Sequence, residues 1–423
     1  MRNNRLFLAF VLLGISTLAL AQEYERAPIN YSSATPQNVV SELEGKVVAG
    51  TSQVDFDVRG GYLRSLLQAL GVPESSQVLV FSKTSMQRQR IGPESPRAIY
   101  FNDDVMVGFT LRGQVIEISA ADDRLGAAYY TLDQSPEEKP NFQRQTESCL
   151  LCHGSSVNQG FPGHLARSLI VDRTGSPLPG SPTYQIDHTS PLDRRWGGWY
   201  VTGQSGRQMH LGNLIGERSK RLKANDNRDG VNLLSLKGRF DAGSYLSPHS
   251  DIVALMVLEH QVGMLNRLAR AALESRLLLH DVADRKQPLR EAQARIDQLA
   301  EEVVQYMLYQ DEAELTDPIK GTSAFAKDFS ARGPRDSKGR SLRDLDLKTR
   351  LFKYPCSYLI HSRAFDSLPE KIKTSIYGVL WKELSGRGTL RGESALSERD
   401  RNAIREILLA TKRDLPAYWK PAR

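Results

Sequence analysis

Two regimes of hydrophobic pattern follow one another along this chain, and their order restricts its fold more than any other feature. Between Gln77 and Leu132 come five short runs rich in β-branched and aromatic residues: Gln77–Ser82, Arg97–Phe101, Val105–Thr110, Gln114–Ser119 and Ala127–Leu132. Gly92-Pro93, Asn102-Asp103, Arg112-Gly113 and Asp122-Asp123 separate them as turn signals, so the segment is predicted to be an antiparallel sheet or meander. Near Ser247 the character changes. Ser250 is a good N-cap with Asp251 in the first turn, and Ile252–His280 carries an amphipathic pattern long enough for roughly seven or eight turns. Pro288 opens a second predicted helix to about Gln310, and 311–340 is polar and Gly/Pro-rich, a long loop. Further helices are predicted at Asp344–His361, Pro369–Leu384 and Ser397–Lys412. The expected class is α+β, with a sheet-rich N-terminal half and a helical C-terminal half. The expected boundaries are an extended lead-in over 22–37, an α+β region over 38–246 and a helical region over 247–423. Within the second of these, a helix over Gly61–Leu70 and strands at Arg167–Asp172 and Gly198–Thr202 are expected.

Between the two regimes lies Cys149-Leu150-Leu151-Cys152-His153, which holds two of the three cysteines. C-x-x-C-H is the attachment signature of c-type haem: the cysteines would form thioethers to the vinyl groups and His153 would be the proximal iron ligand. The alternatives are a structural disulfide, a thioredoxin-like redox pair, or half of a zinc site. No second C-x-x-C and no paired histidines at zinc spacing are present, and the strand–CxxC–helix order of a thioredoxin fold is missing. Cys356, set in Tyr354-Pro355-Cys356-Ser357-Tyr358, is then single and is expected to be buried as a small hydrophobe.

The N-terminus supplies an address. Arg2 and Arg5 form a positive n-region, Leu6–Leu20 an apolar stretch, and Ala19-Leu20-Ala21 a small-x-small cleavage site, which together predict a Sec-type signal peptide over 1–21. A retained anchor is the alternative, although the apolar run is short and no second one follows, so no membrane span is expected after cleavage. Export agrees with the motif, because c-type haem is attached outside the cytoplasm, and the expected location is the periplasm. The formal charge of +7 is spread without a polybasic run, so nucleic acid is not implied, while an acidic redox partner is permitted.

A haem iron takes a second axial group, water or a vacancy. The glycine-bounded loop Gln204–Asn213 offers Met209 and His210. A helical stripe, Met256, His260 and Met264, offers His260, in the geometry a bundle uses to present a ligand. Asp193-Arg194-Arg195-Trp196-Gly197-Gly198-Trp199-Tyr200 clusters aromatic and basic residues. Trp196 or Trp199 could wall the haem, and Arg194, Arg195 or Arg207 could pair with its propionates. His164, His188, His249, His280 and His361 have no distinguishing context. Gly333–Ser341 has the wrong spacing for a P-loop, and no H-E-x-x-H, G-x-S-x-G or G-x-G-x-x-G occurs.

At Cys149–His153 the chain resembles c-type cytochromes. Ser95–Phe101, Arg195–Gly203, Ser250–Gln261 and Gly339–Arg343 are similar to stretches in large exported bacterial proteins with a single CxxCH, a group that implies covalent haem c but supplies no substrate. A simple carrier packs one haem in roughly a hundred residues, near the lower range of domain sizes; this chain is far longer. The leading expectation is a periplasmic monohaem electron-transfer protein serving a redox partner protein. A peroxidase-like c-haem oxidoreductase with an open sixth site is the second expectation, and a haem sensor or scaffold the third.

Overall fold

The structure, a computed structural model, describes residues 22–136, 139–217, 222–388 and 396–420. The expected signal peptide over 1–21 lies outside the described residues. Two helices, α1 (Val39–Val48) and α2 (Leu63–Ala69), precede a meander of β1 (Val78–Val80), β2 (Arg97–Phe101), β3 (Val105–Thr110), β4 (Val115–Asp122), β5 (Gly126–Asp133) and β6 (Phe142–Arg144). A single-turn helix α3 (Leu150–His153) follows, then a ribbon of β7 (Arg167–Leu169) and β8 (Thr183–Gln185), then β9 (Trp199–Tyr200). The rest is helical: α4 (Ile252–Ala283), α5 (Leu289–Met307), α6 (Phe325–Ala331), α7 (Arg363–Asp366), α8 (Glu370–Leu384) and α9 (Glu398–Thr411). The molecule is therefore α+β, with its sheet in the N-terminal half and helices mainly in the C-terminal half.

The main sheet runs β6-β5-β4-β3-β2-β1-β9, antiparallel throughout. Because side chains alternate along a strand and paired residues share a face, the register sorts them into two surfaces. Tyr100, Val107, Ile118 and Tyr130 lie across the sheet in one line, and this face buries itself against Val40 and Leu43 of α1 and Leu63, Leu66 and Leu67 of α2. Asn38 ties that layer down: its Oδ1 accepts from Val40 N and Ser41 N to cap α1, and its Nδ2 donates to Asp122 and Tyr130 on the sheet.

The opposite face carries Met106, Ser119 and Tyr129 in one line and Ile99, Gly108, Glu117 and Thr131 in the next. It looks toward α4. That helix is buried at every position from Ile252 to Leu265, because α5, α6 and α8 pack on it as well. The amphipathic pattern expected for the whole element therefore holds only in its second half. One continuous core includes Val78, Val80 and Trp199 from the sheet and Ile376, Leu380, Ile404 and Ile407 from α8 and α9, so the change of pattern near residue 247 does not divide the core.

Several local expectations are corrected. The cap of α4 is Asp251, whereas Ser250 serves the sheet, its Oγ donating to Tyr200 O (2.6 Å) and accepting from Leu79 N (2.9 Å). The segment 311–340 contains α6, held by Phe325 and Phe329 in the core. The helix expected over Asp344–His361 reduces to a 3₁₀ turn at Tyr358–His361. The chain there is bent, with Leu347 at φ 60° and Pro355 lacking a backbone N–H. Among the described residues, no helix is long and apolar enough to cross a membrane.

Asp251 does more than cap. Its Oδ1 accepts from Val253 N (2.8 Å), and its Oδ2 accepts from Thr322 N (2.8 Å), Ser323 N (2.7 Å) and Ser323 Oγ (2.8 Å), joining the helix start to a distant loop. Asp251→Ala is expected to destabilise by about 2–3 kcal/mol, above the ~1 kcal/mol of an ordinary cap, because buried donors lose a charged acceptor. The check is the shift in urea midpoint at unchanged m-value.

Candidate functional site: a cavity beside Cys149, Cys152 and His153

The motif is built as one tight turn. His153 N donates to Cys149 O (2.9 Å), and the two leucines face opposite ways. Leu150 is buried with Tyr24, Tyr31, Tyr129 and Leu273, whereas Leu151 is 78 % exposed. Burying Leu150 pins the turn, leaving Cys149 partly buried and Cys152 exposed, both as free thiols. Burial, and then Glu117, push the Cys149 thiol up to about 11. Cys149 is thus a neutral thiol near pH 7.

His153 is held from behind. Its Nδ1–H donates to the Gly163 carbonyl (2.8 Å), and the Tyr129 hydroxyl donates to the same oxygen (2.6 Å). A carbonyl only accepts, so the proton must sit on Nδ1 and the lone pair on Nε2. Nε2 has no hydrogen bond among the described residues. Burial pushes the ring down to about 4, which keeps it neutral near pH 7. The loop behind it is clamped by Asn266 of α4, whose Oδ1 accepts from His164 N (2.7 Å) and whose Nδ2 donates to His164 O (2.9 Å). A Cβ on Gly163 would lie 2.6 Å from that Oδ1, so glycine is needed for the approach.

Beside the motif lies a cavity of about 560 Å³, inside the ~300–1,000 Å³ range of ligand and cofactor sites. Cys149, Cys152 and His153 form one wall, the second sheet face another, and Leu258 and Val262 of α4 a third, with Trp199 beside them. Gly108 shapes the floor: a Cβ there would lie 2.3 Å from the Arg97 guanidinium, which crosses β3 to pair with Glu117 (2.8 Å). His164, 3 % exposed, is also on the wall, with Nδ1 2.8 Å from Ser119 Oγ. Burial pushes its ring down to about 3.

The structure thus brings Cys149, Cys152, His153 and Trp199 to one cavity and sends the other expected site residues elsewhere. Met209 packs against a separate small cluster that includes Ile170 and Leu214. His210 is buried, its Nδ1 accepting from Gly212 N (3.1 Å) and its ring edge-on to Trp196 (5.2 Å). His260 sits between His188 Nδ1 (2.9 Å) and Ser357 Oγ (2.8 Å). Arg195 forms a fully buried ion pair with Glu259, and Trp196 beside it is 1 % exposed. Arg194 lies over the Tyr184 ring, and Arg207 is exposed beside Asp317. None of these lines the cavity. Cys356 is fully buried, as its sequence context suggested.

The side chains that sequence reasoning missed are Arg97, Met106, Glu117 and Tyr129, and their signal was present. They occupy alternate positions of four runs already recognised as strands, on the face where polar residues interrupt the apolar ones. For His164 the local sequence carried no signal.

Among the described residues, no three His, Cys, Asp or Glu side chains converge as the shell of a bare metal ion does. A haem needs no such cluster, since the macrocycle itself supplies the equatorial ligands. No protein-family model matches the chain, no curated protein matches it in sequence, and no solved structure matches its fold.

Proposed function

We propose that this chain is an exported monohaem c-type protein that transfers electrons with a periplasmic redox partner. Cys149 and Cys152 would anchor the haem and His153 would be the proximal iron ligand. The observation that carries the reading is the tautomer imposed on His153. Its Nδ1–H is committed to Gly163 O, and its bare Nε2 belongs to a ring that lines a cofactor-sized cavity beside two free thiols. Metal-ligating histidines hold their other ring N–H in this way. Exposure of Cys152 and Leu151 leaves one edge of the motif at solvent, as electron exchange with an external protein requires. The bound haem would supply the one-electron couple; the chain's part is to hold it, limit solvent access and tune its potential.

The test is the absorption spectrum of the oxidised and reduced protein, made with haem-maturation machinery. A low-spin spectrum indifferent to cyanide and carbon monoxide supports the carrier. A ligand-binding, high-spin iron favours the second reading, an oxidoreductase with an open sixth site. That reading has its own observation: Arg97 and Glu117 form a charged pair inside the cavity, of the kind acid–base work needs.

Tyr129 should set the potential. Its hydroxyl shares the Gly163 carbonyl with His153 and so weakens that carbonyl as an acceptor for the imidazole N–H. In Tyr129→Phe the carbonyl serves His153 alone, the ring becomes a stronger donor to the iron, and the oxidised state is favoured. With about 1 kcal/mol at stake, the midpoint is expected to fall by roughly 40 mV for a one-electron couple. Redox titration of the variant checks both sign and size.

A further inference from the structure

A haem carrier that ignores cyanide and carbon monoxide needs both axial positions of its iron filled by the chain. His153 supplies one, and the side chains expected at the other, Met209, His210 and His260, lie away from the cavity. The walls themselves narrow the choice. Of the eight histidines only His153 and His164 line the cavity, and the His164 ring is engaged at Nδ1 with Ser119 Oγ (2.8 Å) and closed off from solvent at Nε2. Lys83 on the same wall presents an ammonium, which has no lone pair to give. Of the seven methionines, Met1 lies outside the described residues, Met256, Met264 and Met307 are buried in the core, and Met209 packs in its own cluster. Met86 and Met106 remain, both on the cavity wall.

Strand register separates these two. Met106 on β3 pairs with Ser119 on β4, and Ser119 pairs with Tyr129 on β5, so the three share one line on the cavity face. Neighbouring strands are about 4.8 Å apart, which sets Met106 and Tyr129 roughly 10 Å from each other across the sheet. His153 stands at the Tyr129 end of the line, its ring centroid 4.8 Å from that of Tyr129. Ser119, between them, is the smallest side chain of the three, so the sheet offers a gap with an imidazole at one end and a thioether at the other. Beyond Met106 its partner on β2, Phe101, is buried against Phe325, so the open side of the half-buried Met106 is the cavity. A strand also holds a ligand more precisely than the loop that carries Met86, whose side chain is 53 % exposed.

Resting on the haem reading above, we infer that Met106 is the distal ligand of the iron, its thioether opposite His153 Nε2. An unbranched, flexible side chain reaches the metal without moving the strand. Methionine–histidine ligation raises the potential of a haem, so Met106 sets the couple as well as closing the sixth position.

The experiment compares the holoprotein with Met106→Leu, Met106→His and Met86→Leu. Leucine keeps the volume and apolar character of methionine, so the fold should hold. The reduced parent should refuse carbon monoxide, and its proton NMR spectrum should show one methionine methyl moved far upfield by the ring current of the macrocycle. In Met106→Leu that resonance should vanish, carbon monoxide should bind and the midpoint should fall. Met106→His should stay low-spin and refuse carbon monoxide at a midpoint below the parent's, a rescue that a merely structural role for the side chain does not predict. Met86→Leu should match the parent throughout. A Met106→Leu protein that keeps the shifted methyl and the parent's midpoint, or loss of both in Met86→Leu instead, overturns the inference and leaves the haem reading standing. So does a holoprotein parent with no shifted methyl, a result that needs no variant to fold. A parent that emerges without covalent haem removes the haem reading itself, before any ligand is compared.

Discussion

Replacing both Cys149 and Cys152 with serine is expected to abolish covalent pigment completely, leaving a polypeptide whose mass under denaturing conditions is that of the chain alone. The parent, made in the periplasm with haem-maturation machinery, should carry the added mass of one haem and keep its colour through denaturation and acid extraction. Stability should follow. The cavity of about 560 Å³ has Leu258, Val262, Ile99 and Trp199 on its walls, so an empty pocket exposes apolar surface that the cofactor would cover. A ligand bound to the folded state alone at a hundred times its dissociation constant contributes ~2.7 kcal/mol, and a tethered one is always present. The serine variant should therefore lose roughly 3 kcal/mol or more, read as a lower thermal midpoint. The alternatives separate cleanly: a disulfide between the two cysteines predicts a shift in the parent on reduction with dithiothreitol, and a metal site predicts a shift with chelator. A parent that shows only the bare mass under these conditions ends the haem proposal.

His153→Ala completes the test. On the proposed attachment the thioethers would need only the cysteines and the iron's proximal bond would need His153, so pigment should survive while the spectrum of a histidine-bound iron is lost. The Gly163 carbonyl, without its imidazole donor, would retain Tyr129.

How far these features were visible beforehand depends on the range of the interaction that makes them. The strands were legible because β-propensity, alternation and turn residues act within a few positions: Arg97–Phe101 and Val105–Thr110 occur where their pattern places them. The helices at Glu370–Leu384 and Glu398–Thr411 were legible for the same reason, each beginning just after Pro369 or Ser397. Ser250 misled because a good capping residue one position early is locally indistinguishable from the true cap. Only the strand pairing that brings Tyr200 O and Leu79 N to its hydroxyl assigns it elsewhere. The site divides along the same line. Cys149, Cys152 and His153 lie within five residues, and so a shared chemistry could be proposed for them from spacing alone. Arg97, Glu117 and His164 meet only because three strands and a clamped loop bring them together, and Met209 and His210 were chosen for their loop context, which says nothing of the direction in which the loop faces.

Arg195 shows what takes the place of a direct role at the cavity, and its removal should be severe. Its Nε donates to Ser190 O (2.7 Å), one Nη to His188 O (3.0 Å), and the other pairs with Glu259 of α4; both charged side chains are 2 % exposed. The guanidinium thus staples the 188–195 loop to the central helix one residue before His260. Truncating one member of a buried pair leaves the other buried without its partner, so Arg195→Ala and Glu259→Ala are each expected to destabilise by about 3–5 kcal/mol. Replacing both at once with apolar residues of similar volume, Arg195→Met with Glu259→Leu, should recover most of that loss. The pH dependence has a definite sign. Burial pushes the Glu259 carboxyl up and Arg195 draws it back down. Without Arg195 the raised value stands unopposed, and the folded state then holds a proton that the unfolded chain releases at ordinary carboxylate pH. Stability of Arg195→Ala should therefore be highest at low pH and fall as pH rises toward the raised value, narrowing its deficit to the parent on acidification. Chemical denaturation of the four proteins at pH 5 and pH 8 measures all of this, and a deficit for Arg195→Ala that is small or grows on acidification would show that the pair is not what anchors the loop to α4.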